Sequence, residues 1–81
     1  MSDTNSKIKE IEKKIKLVKL MIEKRGQRVA YYQKLIKMGL AADDRMKLDY
    51  YASFKSKEIR DLTKELDKLY VQKSLYELEE E

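Results

Sequence analysis

A β-branched residue recurs at every seventh position through the first half of this chain, and this repeat constrains the fold more than any other feature. With Ile8 as heptad position a, the a positions hold Ile8, Ile15, Ile22, Val29 and Ile36. The d positions hold Ile11, Val18, Arg25, Tyr32 and Gly39. An apolar repeat of this length is typical of a helix that packs along a second helix, which predicts a first helix from about 6 to 38.

The segment KMGLAADD, at residues 37–44, contains the signals that end one helix and start the next. Gly39 suits the position just after a helix, where a left-handed backbone costs glycine little. Asp43 or Asp44 then serves as the N-cap or the first-turn acid of the following helix. We therefore predict a turn at 39–43 and a second helix from about 43 to 77.

The second helix has its own apolar seam, formed by Leu48, Ala52, Lys55, Ile59, Leu62, Leu66, Leu69, Lys73 and Tyr76. In an antiparallel pair, position a of one helix meets position d of the other. The same register then pairs Ile36 with Leu48, Tyr32 with Ala52, Ile22 with Leu62, Val18 with Leu66, Ile15 with Leu69 and Ile8 with Tyr76. Two seams assigned separately agree on one alignment. The sequence predicts an all-α, coiled-coil-like antiparallel αα-hairpin that forms one domain over residues 1–81, with a frayed acidic tail at 78–81.

Two cations interrupt the seams at neighbouring levels. In this register Arg25 faces Ile59 and Lys55 faces Val29, where ionised groups are costly unless they are paired. Glu58 lies beside them and is a partner for either Arg25 or Arg28. A polar layer of this kind fixes register and oligomeric state in coiled coils.

The chain has more apolar residues than a two-helix seam uses, and in water they would form a large exposed patch. The candidate dimer interface consists of Leu17, Leu20, Met21, Tyr31, Tyr50, Phe54, Val71 and Leu75. Packing two such hairpins together gives a four-helix bundle with two-fold symmetry. The alternative is that local bending within one chain covers these residues.

Several classes of chemistry are not expected. The chain has no His and no Cys, no metal-ligand spacing and no glycine-rich phosphate loop, so we predict no catalytic, cofactor or metal site and no enzyme. No apolar run is long enough for a membrane span, and the first residues have no signal-peptide core, so we expect a cytoplasmic protein without a membrane partner. Abundant Lys and Glu with a single Asn resemble the composition of hyperthermophile proteins.

Positive charge is concentrated in the first helix. Residues 6–38 contain eleven Lys or Arg and three acids, whereas residues 43–81 contain eight basic and eleven acidic residues. The candidate nucleic-acid face is Lys9, Lys13, Lys16, Lys24 and Arg28. One interpretation is a surface that follows a phosphate backbone. The other is a solvated face that balances the acidic second helix.

The hairpin layout from Ile8 to Tyr76 resembles the Rop-type helical hairpins, which dimerise into antiparallel four-helix bundles. With its composition, the chain is also similar to the small helical-hairpin proteins of crenarchaeal viruses. The resemblance implies an adaptor or RNA-binding role, in the host cytoplasm for a viral protein, and it assigns no functional residue. We expect a non-catalytic, homodimeric four-helix-bundle adaptor that contacts another protein, with nucleic-acid binding through the first helix as the alternative.

Overall fold

Two long helices account for nearly all of the chain. The structure, a computed structural model that describes residues 3–80, contains α1 (Asp3–Lys37) and α2 (Ala42–Glu80). The molecule measures 61 × 14 × 13 Å. Because a 39-residue helix alone is about 58 Å long at 1.5 Å per residue, the two helices must lie side by side. The predicted all-α hairpin is confirmed.

The helix bounds differ from the prediction: α1 begins three residues earlier and ends one residue earlier, at Lys37, and α2 extends beyond its predicted bounds at both ends. α1 begins at Asp3, whose carboxylate in the first turn suits the positive end of the helix dipole. α2 has no Gly or Pro that would stop it and continues to Glu80. Residues 78–80, predicted as the start of a frayed tail, are therefore helical, and Glu81 lies outside the described residues.

The turn is short and depends on one glycine. Gly39 has a φ of 80°, the left-handed conformation predicted for it. The Met38 amide donates to the Leu35 carbonyl at 3.1 Å, which tightens the last turn of α1. α2 starts with the Arg45 amide donating to the Ala41 carbonyl, so Asp43 and Asp44 are first-turn acids and neither is the N-cap.

The hydrophobic core lies in the half of the hairpin that contains the chain ends. Its buried members are Ile11, Ile15, Val18 and Leu69, and Ile22, Leu62, Leu66 and Tyr76 pack against them. This cluster agrees with the predicted register. The Lys73 ammonium, 3.8 Å from Glu12, and the Lys7 ammonium, 5.5 Å from the centre of the Tyr76 ring, also join the helices at this end.

The half near the turn is more open than the sequence predicts. Its seam residues, among them Tyr32, Ile36 and Ala52, are only half-buried. A groove of about 370 Å³ opens here, lined by Gln33, Ile36, Asp49, Ala52, Ser53, Ser56 and Arg60. The side chains of Ala52, Ser53 and Ser56 are too short to fill the space between the helices, so the repeat continues without a fully buried core.

Candidate functional site

A network of three charged side chains marks the middle of the hairpin. Arg25 Nε donates to Glu58 Oε2, and Lys55 Nζ lies 3.5 Å from Glu58 Oε1. Arg25 also approaches the Met21 carbonyl at 3.4 Å. The three charged side chains remain between 25% and 32% exposed, because the long stems of Arg25 and Lys55 carry their charges to the rim of the seam. The sequence predicted either Arg25 or Arg28 as the partner of Glu58, and in the structure Arg25 forms this ion pair.

Glu58 is the anion that holds this network together. The hydrogen bond from Arg25 is the main cause that lowers the pKa of Glu58, and the charge of Lys55 acts in the same direction. Partial burial acts against both. A glutamate is already ionised at neutral pH, and the net lowering of its pKa keeps Glu58 ionised further into acid. Its single negative charge neutralises one of its two cationic neighbours.

Four cations line a recess beside this network. Lys24, Arg25 and Arg28 of α1 and Lys55 of α2 surround a space of about 260 Å³. Among the residues that the structure describes, Lys24 and Arg28 form no ion pair. Since Glu58 already serves Arg25 and Lys55, the recess has excess positive charge and suits an anion.

An exposed tyrosine borders the recess. Lys24, Gln27, Arg28 and Tyr31 line an adjoining surface cavity of about 480 Å³. The Tyr31 ring lies 6.3 Å from Tyr32, which lies 6.3 Å from Tyr51, and Tyr51 lies 5.9 Å from Tyr50. The two mirrored tyrosine pairs of the sequence thus form one row of rings that crosses from α1 to α2.

The predicted nucleic-acid face falls into two groups. Lys9, Lys13 and Lys16 are exposed toward the chain ends, and only Lys24 and Arg28 reach the recess. Sequence reasoning missed Tyr31 and Gln27 as their neighbours. The signal was present, because Lys24, Arg28 and Tyr31 are spaced four and three residues apart and therefore share one helix face.

The predicted dimer residues remain on the surface of the hairpin. Leu17, Leu20, Tyr31, Tyr50, Phe54, Val71 and Leu75 are all exposed, and Met21 is half-buried. On α2 they form two bands on the outer face, which is the face turned away from α1. Tyr50 and Phe54 lie near the turn, Val71 and Leu75 lie near the chain ends, and charged residues occupy the helix face between them.

The total exposed area exceeds that of a compact monomer. The chain exposes 6538 Å², whereas a compact protein of 9.7 kDa exposes about 5,100 Å². The excess is about 1,400 Å² per chain. The thin hairpin, which buries few side chains completely, accounts for this excess.

No helix within residues 3–80 has an apolar stretch long enough to cross a membrane. In the described part of the chain, no three acidic side chains come together as a metal site. Comparison with known proteins finds no matching family model, no matching curated protein and no matching solved structure.

Proposed function

We propose that this protein is a non-catalytic interaction module that acts in the cytoplasm as a homodimer, two hairpins forming a four-helix bundle that contacts another protein. The observation that carries the proposal is the excess of exposed area, together with the apolar bands that account for part of it. Large apolar side chains exposed next to one another, such as Val71 with Leu75 and Tyr50 with Phe54, are typical of a surface that another molecule covers.

The excess exposed area is as large as the area that a second copy of the chain would cover. Stable homodimers bury about 1,000–2,500 Å² on each partner, and the excess of about 1,400 Å² lies in this range. Among the residues whose burial the structure describes, four side chains are buried in the single hairpin, those of Ile11, Ile15, Val18 and Leu69. A domain of this size with so small a core gains stability from a partner.

Light scattering on a size-exclusion column tests the proposal. We expect a mass of twice 9.7 kDa at micromolar concentration. Leu75→Glu places a charge in the apolar band and should shift the protein toward monomer. Ser74→Glu, one residue away and also exposed, is the matched control and should remain dimeric. A mass of 9.7 kDa at every concentration would contradict the proposal.

Nucleic-acid binding is a second candidate function, and the recess beside Tyr31 favours it. A cationic groove with an adjacent aromatic ring is the combination that binds single-stranded nucleic acid, because the cations contact phosphates and a base stacks on the ring. Lys24, Arg28 and Tyr31 provide both parts on one face of α1.

A fluorescence anisotropy titration with a labelled single-stranded oligonucleotide tests this second function. Binding should weaken steeply as salt rises. The charge reversals Lys24→Glu and Arg28→Glu together should abolish binding. Lys9→Glu with Lys13→Glu changes the net charge equally and should retain most of it. Equal losses in the two double variants would indicate general charge attraction and no defined site.

A further inference from the structure

We infer that the second copy docks on the outer face of α2, with the two α2 helices antiparallel and the two-fold axis passing between Leu62 and Thr63. The inference rests on the proposed homodimer and specifies its layout: the two α2 helices lie at the centre of the four-helix assembly, and each α1 packs on the outer side of its own α2. It follows from the order of side chains along α2 and from their exposure.

The outer face of α2 has the same order of apolar and charged residues from either end. At heptad spacing it holds Tyr50, Phe54, Lys57, Asp61, Lys64, Lys68, Val71 and Leu75, and all eight are exposed. Two apolar residues stand at each end and four charged residues stand between them. An antiparallel two-fold pairing centred between Leu62 and Thr63 therefore brings each apolar band onto the other apolar band of the partner.

The apolar contacts in this pairing are between large side chains. Tyr50 meets Leu75 of the partner subunit, and Phe54 meets Val71 of the partner subunit. These four side chains are between 53% and 67% exposed in the hairpin, so they have free area to bury. Two-fold symmetry forms each contact twice.

The charged residues at the centre form two kinds of opposite-charge contact in the same register. Asp61 meets Lys64 of the partner subunit, and Arg60 lies beside Asp67 of the partner subunit. Symmetry again doubles both pairs. Two contacts are unfavourable: Lys57 lies opposite Lys68 of the partner subunit, and Glu58 lies beside Glu65 of the partner subunit. Both lysines are flexible and can move their ammonium groups to the solvated rim, and Glu58 is already paired with Arg25 and Lys55 of its own hairpin.

Other ways of pairing two helices bring like charges together. If the two α2 helices ran parallel, each residue would lie beside its own copy, and Asp61 would face Asp61 of the partner subunit. The outer face of α1 offers no better solution. Between Leu17 and Met38 its outward positions hold Lys24 and Lys34 and no acid, so pairing two α1 faces would gather positive charge without a pair of opposite charge at the centre.

Distances between spin labels test the orientation. The chain has no cysteine, so a single label can be placed at Ser53→Cys or at Ser74→Cys, both exposed and adjacent to the outer face. The two copies of a label at 53 should lie about 30 Å apart, and those at 74 about 35 Å apart, from the rise per residue along the helix. The two values are similar because the axis lies nearly midway between the sites.

The result separates this inference from the proposed dimer. If the inter-label distances at 53 and at 74 are both short and similar, the two α2 helices are parallel. If one distance is long and the other short, the two-fold axis does not lie between Leu62 and Thr63. Either result in a dimeric protein overturns the docking arrangement and leaves the homodimer standing. A monomer, without any inter-label distance, overturns both.

A charge exchange tests the central pair. Asp61→Lys places a lysine against Lys64 of the partner subunit at two equivalent points and should raise the dimer dissociation constant about tenfold. Adding Lys64→Asp restores opposite charges across the interface and should restore the dissociation constant. If Asp61→Lys leaves it unchanged, or the second change fails to restore it, the proposed register is wrong. Circular dichroism of each variant confirms that the hairpin stays helical.

Discussion

Replacement of isoleucine by valine along α1 tests whether the core is confined to one half of the hairpin. Ile8, Ile15, Ile22 and Ile36 all occupy heptad position a, and each substitution removes one methyl-sized group without changing polarity. Their burial differs. Ile15 is 6% exposed within the core cluster, Ile22 packs against that cluster, and Ile8 and Ile36 are half-buried.

The expected magnitudes follow from this burial. Ile15→Val should lower the free energy of unfolding by about 1 kcal/mol, the usual cost of a buried methylene with the space it leaves. In a domain of this size, that loss lowers the melting temperature by about 4–8 °C. Ile36→Val, beside the open groove, should cost less than about 0.5 kcal/mol because neighbouring atoms are few. Ile22→Val and Ile8→Val should fall between these values.

Urea unfolding followed by circular dichroism gives the four values. All variants must be measured at one protein concentration, because self-association makes stability depend on concentration. The heptad pattern alone would predict four equal losses. If Ile36→Val costs as much as Ile15→Val, the half near the turn is also well packed and the confined core is refuted.

Three further results are expected. Gly39→Ala should destabilise the hairpin by about 1 kcal/mol because Gly39 has a positive φ. Gly26 lies in mid-helix with open space around it, so Gly26→Ala should stabilise the hairpin by up to about 1 kcal/mol. Thermal unfolding of both variants checks these values. Glu58→Gln should be less stable than the wild type at pH 7. Because folding lowers the pKa of Glu58, its stabilising effect is present above the ordinary carboxylate pKa and is lost as pH falls through the lowered value, so the difference in urea midpoint should vanish in acid. Arg25→Leu with Lys55→Leu leaves Glu58 without its cations, so this double variant should melt below the triple variant that adds Glu58→Leu. If the polar layer fixes the register, the triple variant should give several species on a sizing column, and a single sharp peak would show that the layer has no such role.

The two candidate surfaces are compatible with each other. The inferred docking face belongs to α2, whereas the cationic recess is mostly formed by α1. Tyr31, predicted from the sequence as a dimer residue, lines the cavity that adjoins the recess, where it is available to stack on a base. The exposed Leu17 and Leu20 of α1 remain available for a protein partner.

The sequence by itself determined the hairpin and its register. The repeat of β-branched residues at position a, the glycine at 39 and the second seam each depend on local rules of helix formation and on periodicity. These rules act over a few residues, so they can be read without coordinates. The register also limited the predicted partner of Glu58 to two residues, Arg25 and Arg28.

Only the tertiary structure decided how tightly each level packs and which charges gather. The heptad pattern treats Ile15 and Ile36 alike, yet Ile15 is buried against Leu69 while Ile36 borders a groove. The difference arises because packing depends on the volumes of side chains from both helices at one level, and Ala52, Ser53 and Ser56 are small. The recess likewise depends on Lys55 of α2 lying beside Lys24 and Arg28 of α1. This is a contact between two helices, and the periodicity along one helix does not predict it.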